Sequence, residues 1–61
     1  MSQLSEKELS MLNDGLNEEG LLVKKYQLLA SQATDASTSA LFSEVSKKHQ
    51  NHYNALYSLL G

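Results

Sequence analysis

The chain has 61 residues, a formal charge of −2 from five basic and seven acidic side chains, and no cysteine, proline or tryptophan. That length allows one domain, and a chain so short buries only roughly 60% of its unfolded surface, so its own core needs a supplement. The missing cysteines exclude a disulfide framework and the usual Cys/His zinc module.

The lysines are scattered as Lys7, Lys24–Lys25 and Lys47–Lys48. They form no cationic stripe of the kind a phosphate backbone requires, so nucleic acid is not an expected partner. The opening Met1-Ser2-Gln3-Leu4-Ser5-Glu6 has neither a basic region leading into an apolar run nor a glycine at position 2, and no segment approaches membrane-spanning length. A soluble protein kept inside the cell, without a membrane partner, is expected.

Ser5-Glu6-Lys7-Glu8 fits a capping box, with Leu4 and Leu9 placed as a hydrophobic staple. Glu6 and Glu8 also put negative charge at the positive end of the helix dipole. A first helix over about 6–32 is predicted. Along it Leu9, Leu12, Leu16, Glu19, Val23, Tyr26 and Ala30 alternate in steps of three and four, a heptad seam rather than a strand pattern. Gly15 and Gly20 interrupt the run of helix formers, each at about 1 kcal/mol relative to alanine. They either admit a neighbouring helix or, for Gly20, clear space beside Glu19.

Ser31 to Ser39 is small and polar, with Thr34 and Asp35 as N-cap candidates, so a turn is predicted at about 33–35. The second helix, predicted over about 36–60, repeats the seam with Phe42, Val45, His49, His52, Leu56 and Leu59. Reversal of the chain near Thr34 makes an antiparallel hairpin in which Leu12 faces Leu56, Leu16 faces His52, Glu19 faces His49, Val23 faces Val45 and Tyr26 faces Phe42. The whole of 1–61 is read as this one helical hairpin.

Two helices cannot cover all their apolar residues. Leu21, Leu22, Leu28, Leu29, Leu41, Tyr53, Tyr57 and Leu60 widen the stripe beyond a two-helix seam. The expected remedy is a homodimer that closes into a four-helix bundle, since a self-complementary surface closes with one interface.

Glu19, His49 and His52 are therefore ligand-type residues on a stripe that should hold leucines. A buried carboxylate needs a partner or an ion, and histidines at i and i+3 share a helix face. A mistaken register, which would take these residues off the stripe, is one reading; two others keep them on it. One is a transition-metal site at Glu19, His49 and His52, with zinc or iron favoured over the oxygen-seeking calcium and magnesium. The other is a Glu19–His49 hydrogen bond that fixes register without any ion. Tyr26 and Tyr53 read as core-edge residues whose hydroxyls could serve beside a metal.

Glu19 followed by Leu-Leu-Val-Lys-Lys-Tyr, the Thr34-Asp35 turn, and a second helix ending Lys-His-Gln-Asn-His-Tyr-Asn-Ala-Leu resemble the helical repeat of ferritin-like proteins. More narrowly, they resemble small spore-coat proteins of the CotF type, over nearly the whole chain but only half of a ferritin-like bundle. The resemblance implies that Glu19 matches the first-helix carboxylate and His52 the histidine of a Glu-x-x-His pair, with His49 standing where a second carboxylate belongs. It implies a ferritin-like four-helix bundle, a location in the cytoplasm or spore coat, and other spore-coat proteins as partners.

No nucleophile with an oriented base, no phosphate-cradling glycine loop and no redox cysteine is visible. A structural role is therefore favoured over catalysis. The rivals are a minimal metal-dependent oxidoreductase or metal-storage protein, and an interaction hairpin that completes its bundle with a different chain.

Overall fold

The computed structural model describes residues 4–61; Met1–Gln3, which belong to the expected single unit, lie outside the described residues. It is an all-α hairpin of two helices, α1 (Glu6–Gln32) and α2 (Ala36–Tyr57), packed against each other. The α1 start is fixed by reciprocal bonds: the Glu8 amide donates to Ser5 Oγ at 3.1 Å and the Ser5 amide donates to Glu8 Oε1 at 3.0 Å. Both orphan donors are thereby satisfied. At the far end the Ala33 amide donates to the Leu29 carbonyl at 3.0 Å, and the chain turns within Ala33–Asp35.

Asp35 then caps α2, its Oδ2 accepting from the Thr38 amide at 2.8 Å, from Thr38 Oγ1 at 2.9 Å and from the Ser37 hydroxyl. The Ser37 hydroxyl first, then the Thr38 donors, hold the Asp35 carboxyl below its ordinary value. At its other end α2 stops three residues short of the predicted Leu60. From Ser58 to Leu60 the chain tightens into a 3₁₀ turn, with the Gly61 amide donating to the Ser58 carbonyl. Such tightening is how a helix end satisfies its last carbonyls.

Leu12, Leu16 and Val23 form the buried apolar core, so the predicted α1 seam is the face that packs. On α2 the packed stripe is rotated relative to prediction. Ser46 is the buried position and Ser39 and Tyr53, at heptad spacing from it, are half-buried, as Val45 is, whereas His52 is exposed. The reason is hydroxyl chemistry. Ser46 Oγ donates to the Val23 carbonyl at 3.0 Å, and seven residues earlier Ser39 Oγ donates to the Ala30 carbonyl at 2.7 Å. A small side chain lets the helices approach, and its hydroxyl finds an acceptor on the facing backbone.

Gly15 faces Leu56, where an added Cβ would come within 3.3 Å of Leu56 Cδ1, and Gly20 faces the Tyr53 ring at 3.7 Å. Of the two readings of these glycines, close approach of the second helix describes both positions, and Gly20 makes room for Tyr53 rather than for Glu19.

The hairpin is long and flat, 45 × 16 × 9 Å. Its radius of gyration is 14.3 Å, against about 10.5 Å for a compact chain of this length. Its two broad faces differ. On one, Asn17, Lys24, Gln27 and Gln50 border a shallow groove that Leu16, Leu21, Val23 and Tyr53 also line. On the other, Leu4, Met11, Leu56 and Leu59 line one end and Leu29 and Phe42 the other. At about 100° per residue, Leu22 on α1 and Leu41, Val45 and His52 on α2 belong to this same apolar face. Leu21 and Leu28, which the sequence groups with the widened stripe, lie off this face and are 69% and 57% exposed, Leu21 lining the groove on the other side.

Candidate metal centre

Glu19 is the midpoint of α1, and the heptad register that buries Leu12, Leu16 and Val23 also turns its carboxylate toward α2. Glu19 Oε1 lies 2.6 Å from Nδ1 of His49, and Glu19 Oε2 lies 3.5 Å from Nδ1 of His52. One carboxylate thus spans two imidazoles on the opposite helix. The three donor atoms fall within 4.8 Å of one another.

The histidines differ in setting. The side chains of Glu19 and His49 are 21% and 22% exposed, while His52 is 59% exposed. His49 sits in an aromatic sleeve. Its ring stacks on Tyr26 with centroids 5.8 Å apart and planes 15° apart, Tyr26 in turn contacts Phe42 at 6.0 Å, and His52 meets His49 edge-on at 5.6 Å. These contacts restrict the imidazole to one plane, and the Glu19 bond fixes its rotation within that plane. Among the described residues His52 has the edge contact and the Glu19 oxygen, and it opens onto the apolar face.

The spacing has a definite chemical meaning. Two ligands about 2.1 Å from a tetrahedral ion stand roughly 3.4 Å apart. The Glu19–His52 edge already has that separation, whereas the Glu19–His49 edge is contracted to a hydrogen bond. An ion held by all three donors therefore has to part Glu19 from His49 by nearly 1 Å. Alternatively, Glu19 keeps its bond to His49 Nδ1 and presents Nε2 as the ligand atom, the arrangement in which a carboxylate orients a metal-binding imidazole. Glu19, His49 and His52 could hold a metal ion by donor type, and they leave at least one coordination position for another ligand.

All three predicted residues are brought together, but His52 joins from the rim and not from the buried seam, because Ser46 and Tyr53 take the inward positions of α2. Tyr26, assigned to the core edge, also proves to be the surface on which His49 rests. Ser39 and Ser46 escape a reading of the sequence as packing residues. Their signal is the seven-residue spacing with Tyr53, hidden because serine reads as polar.

Comparison of the chain with protein-family models, with curated proteins and with solved structures finds no match in any of the three. No helix among the described residues is long and apolar enough to cross a membrane.

Proposed function

We propose that the chain is one half of a four-helix bundle, a small structural protein that pairs with a second copy and holds a transition ion at Glu19, His49 and His52. The observation that carries this reading is the Glu19 carboxylate placed between two imidazoles of the opposite helix, at 2.6 and 3.5 Å. A Glu–His hydrogen bond needs one histidine; the second, His52, is exposed, touches the first only edge-on and is accounted for by a ligand role. The Glu19 carboxylate from the first helix and the His52 imidazole from the second are what make the proposed bundle ferritin-like, while His49 stands where that pattern has a second carboxylate. The resemblance to small spore-coat proteins supports a scaffold role in that setting, alongside other coat proteins.

Elemental analysis of protein purified without added metal or nickel resin tests the ion, and sedimentation tests the pairing. The reading requires near-stoichiometric zinc or iron per chain, lost in Glu19→Ala and His49→Ala, and a sedimenting mass twice that of the chain. Metal at the same trace level in all three proteins would remove the site. Stoichiometric iron with a visible oxidised band would instead favour the oxidoreductase or storage reading, to which the same three residues are suited. A monomer that becomes compact only with a different chain would favour the interaction hairpin.

A further inference from the structure

The accessible surface of the hairpin is 4725 Å², against about 3,900 Å² for a compact protein of its mass. The excess, about 800 Å², is what a standard protein interface buries on each partner. Met11, Leu41 and Leu59, 62%, 58% and 43% exposed, lie on the face that also carries Leu22, Val45 and His52. Leu21, 69% exposed, lies instead with Asn17, Lys24, Gln27 and Gln50 at the opposite groove, so exposure alone does not single out one face and the flanking charges have to.

Charges edge this face in a pattern that selects its occupant. At about 100° per residue, Glu18 and Lys25 flank it on α1, and Lys48 and Glu44 flank it on α2. Interhelical alignment follows the observed pairs Glu19 with His49, Tyr26 with Phe42 and Val23 with Ser46. Lys25 and Glu44 then stand at one height, and Glu18 and Lys48 within one helical turn of each other. Within one chain the members of each pair lie on outer flanks of different helices and form no ion pair among the described residues.

A second hairpin laid fully over the first can be related by a two-fold axis across the helices or along them. The axis across them, at the Glu19 level, brings Glu18 within a turn of its own copy and Lys48 within a turn of its own copy, like charge against like. The axis along them places α1 against the second copy's α2 and matches every charge with its opposite. Like charges at such flanking positions disfavour an arrangement and opposite ones select it.

We infer that the face carrying Met11, Leu22, Leu41, Val45, His52 and Leu59 binds a second copy of this chain, with both turns at the same end and Glu18–Lys48 and Lys25–Glu44 pairs between copies. This rests on the self-association proposed above and adds the face and the orientation. Four such pairs close by symmetry, and Glu19 and His49 of both copies turn toward the bundle axis, with His52 covered by the facing α1 near Gly15.

The test is carbodiimide cross-linking of the full chain, mixed as unlabelled and ¹⁵N-labelled protein, with sedimentation run in parallel. Isotopically mixed peptides joining Lys25 to Glu44 and Glu18 to Lys48 are expected. Glu18→Lys should weaken dimerisation about tenfold, and Glu18→Lys combined with Lys48→Glu should restore it. A dimer whose mixed links join Glu18 to Lys25, or that lacks mixed links at these residues, overturns the orientation and leaves self-association standing. A monomer at all concentrations overturns both.

Discussion

Glu19 Oε1 and His49 Nδ1 meet at 2.6 Å across the hairpin, thirty positions apart in the chain. This contact joins the midpoint of α1 to a position just past the middle of α2, so it bears both on how the helices align and on what they can bind. Because the groups are about one-fifth exposed, the bond is partly screened, and its net contribution falls between that of a surface pair and a buried one.

A double-mutant cycle with Glu19→Ala and His49→Ala in urea unfolding is therefore expected to give a coupling of about 1–2 kcal/mol without added metal. A coupling indistinguishable from zero would mean that the helices are aligned by packing alone.

The heptad serines contribute through size as well as hydrogen bonding. Ser46→Ala loses a hydroxyl whose acceptor, the Val23 carbonyl, also lies within a regular helix, so the loss should be modest, about 1 kcal/mol. Ser46→Leu forces a large side chain between the helices and should destabilise by about 1–3 kcal/mol. Thermal unfolding of the two variants checks the order; a more stable Ser46→Leu would place that residue outside the interface.

Gly20 offers a gain. A Cβ there would meet the Tyr53 ring at 3.7 Å, an ordinary contact, so Gly20→Ala should show the helix-propensity benefit of about 1 kcal/mol and raise Tm by roughly 4 °C or more. At Gly15 the 3.3 Å approach to Leu56 Cδ1 offsets part of that benefit, and Gly15→Ala should gain less. The reverse order would contradict a helix approach that is tighter at Gly15 than at Gly20.

Acid should loosen both helix starts. The Ser5 amide and hydroxyl lower the Glu8 pKa, and the Ser37 hydroxyl and Thr38 donors lower that of Asp35, from ordinary values of 4.5 and 3.8. A carboxyl whose folded pKa is depressed stabilises the fold above its unfolded value and ceases to do so as pH falls through the folded one. Stability should therefore be flat in these two groups at neutral pH and decline below about pH 4, with a smaller decline in Asp35→Asn. Helical circular dichroism during acid titration measures this.

Much of the hairpin is legible because local rules and long-range pattern agree. Ser5 with Glu8, the leucine spacing of α1 and the cap at Asp35 each point to the same helix limits, and the Glu19–His49 alignment follows from where the chain reverses. The α2 face is legible only in part. Val45 and His52 suit a heptad seam by type and spacing, but a seam that keeps Phe42, His49 and Leu56 and takes Ser46 and Tyr53 in their place is as regular, and serine hydroxyls bonding to Val23 and Ala30 tip the choice. Hydrophobic patterning has no means of weighing a hydrogen bond to a facing carbonyl. Sequence spacing also hides the charge pattern of Glu18, Lys25, Glu44 and Lys48, which acquires meaning only once the apolar face between them is located.

His52→Ala gives the most direct measurement of the central claim, because the side chain is exposed and its removal leaves the Glu19–His49 bond and the buried Leu12, Leu16 and Val23 in place. Melting is followed for wild type and His52→Ala, each with chelator and with excess zinc. Zinc at about a hundred times its dissociation constant should raise the wild-type Tm by roughly 10 °C and leave His52→Ala nearly unmoved. An equal shift in the two proteins, or none in the wild type, would contradict a metal held by Glu19, His49 and His52.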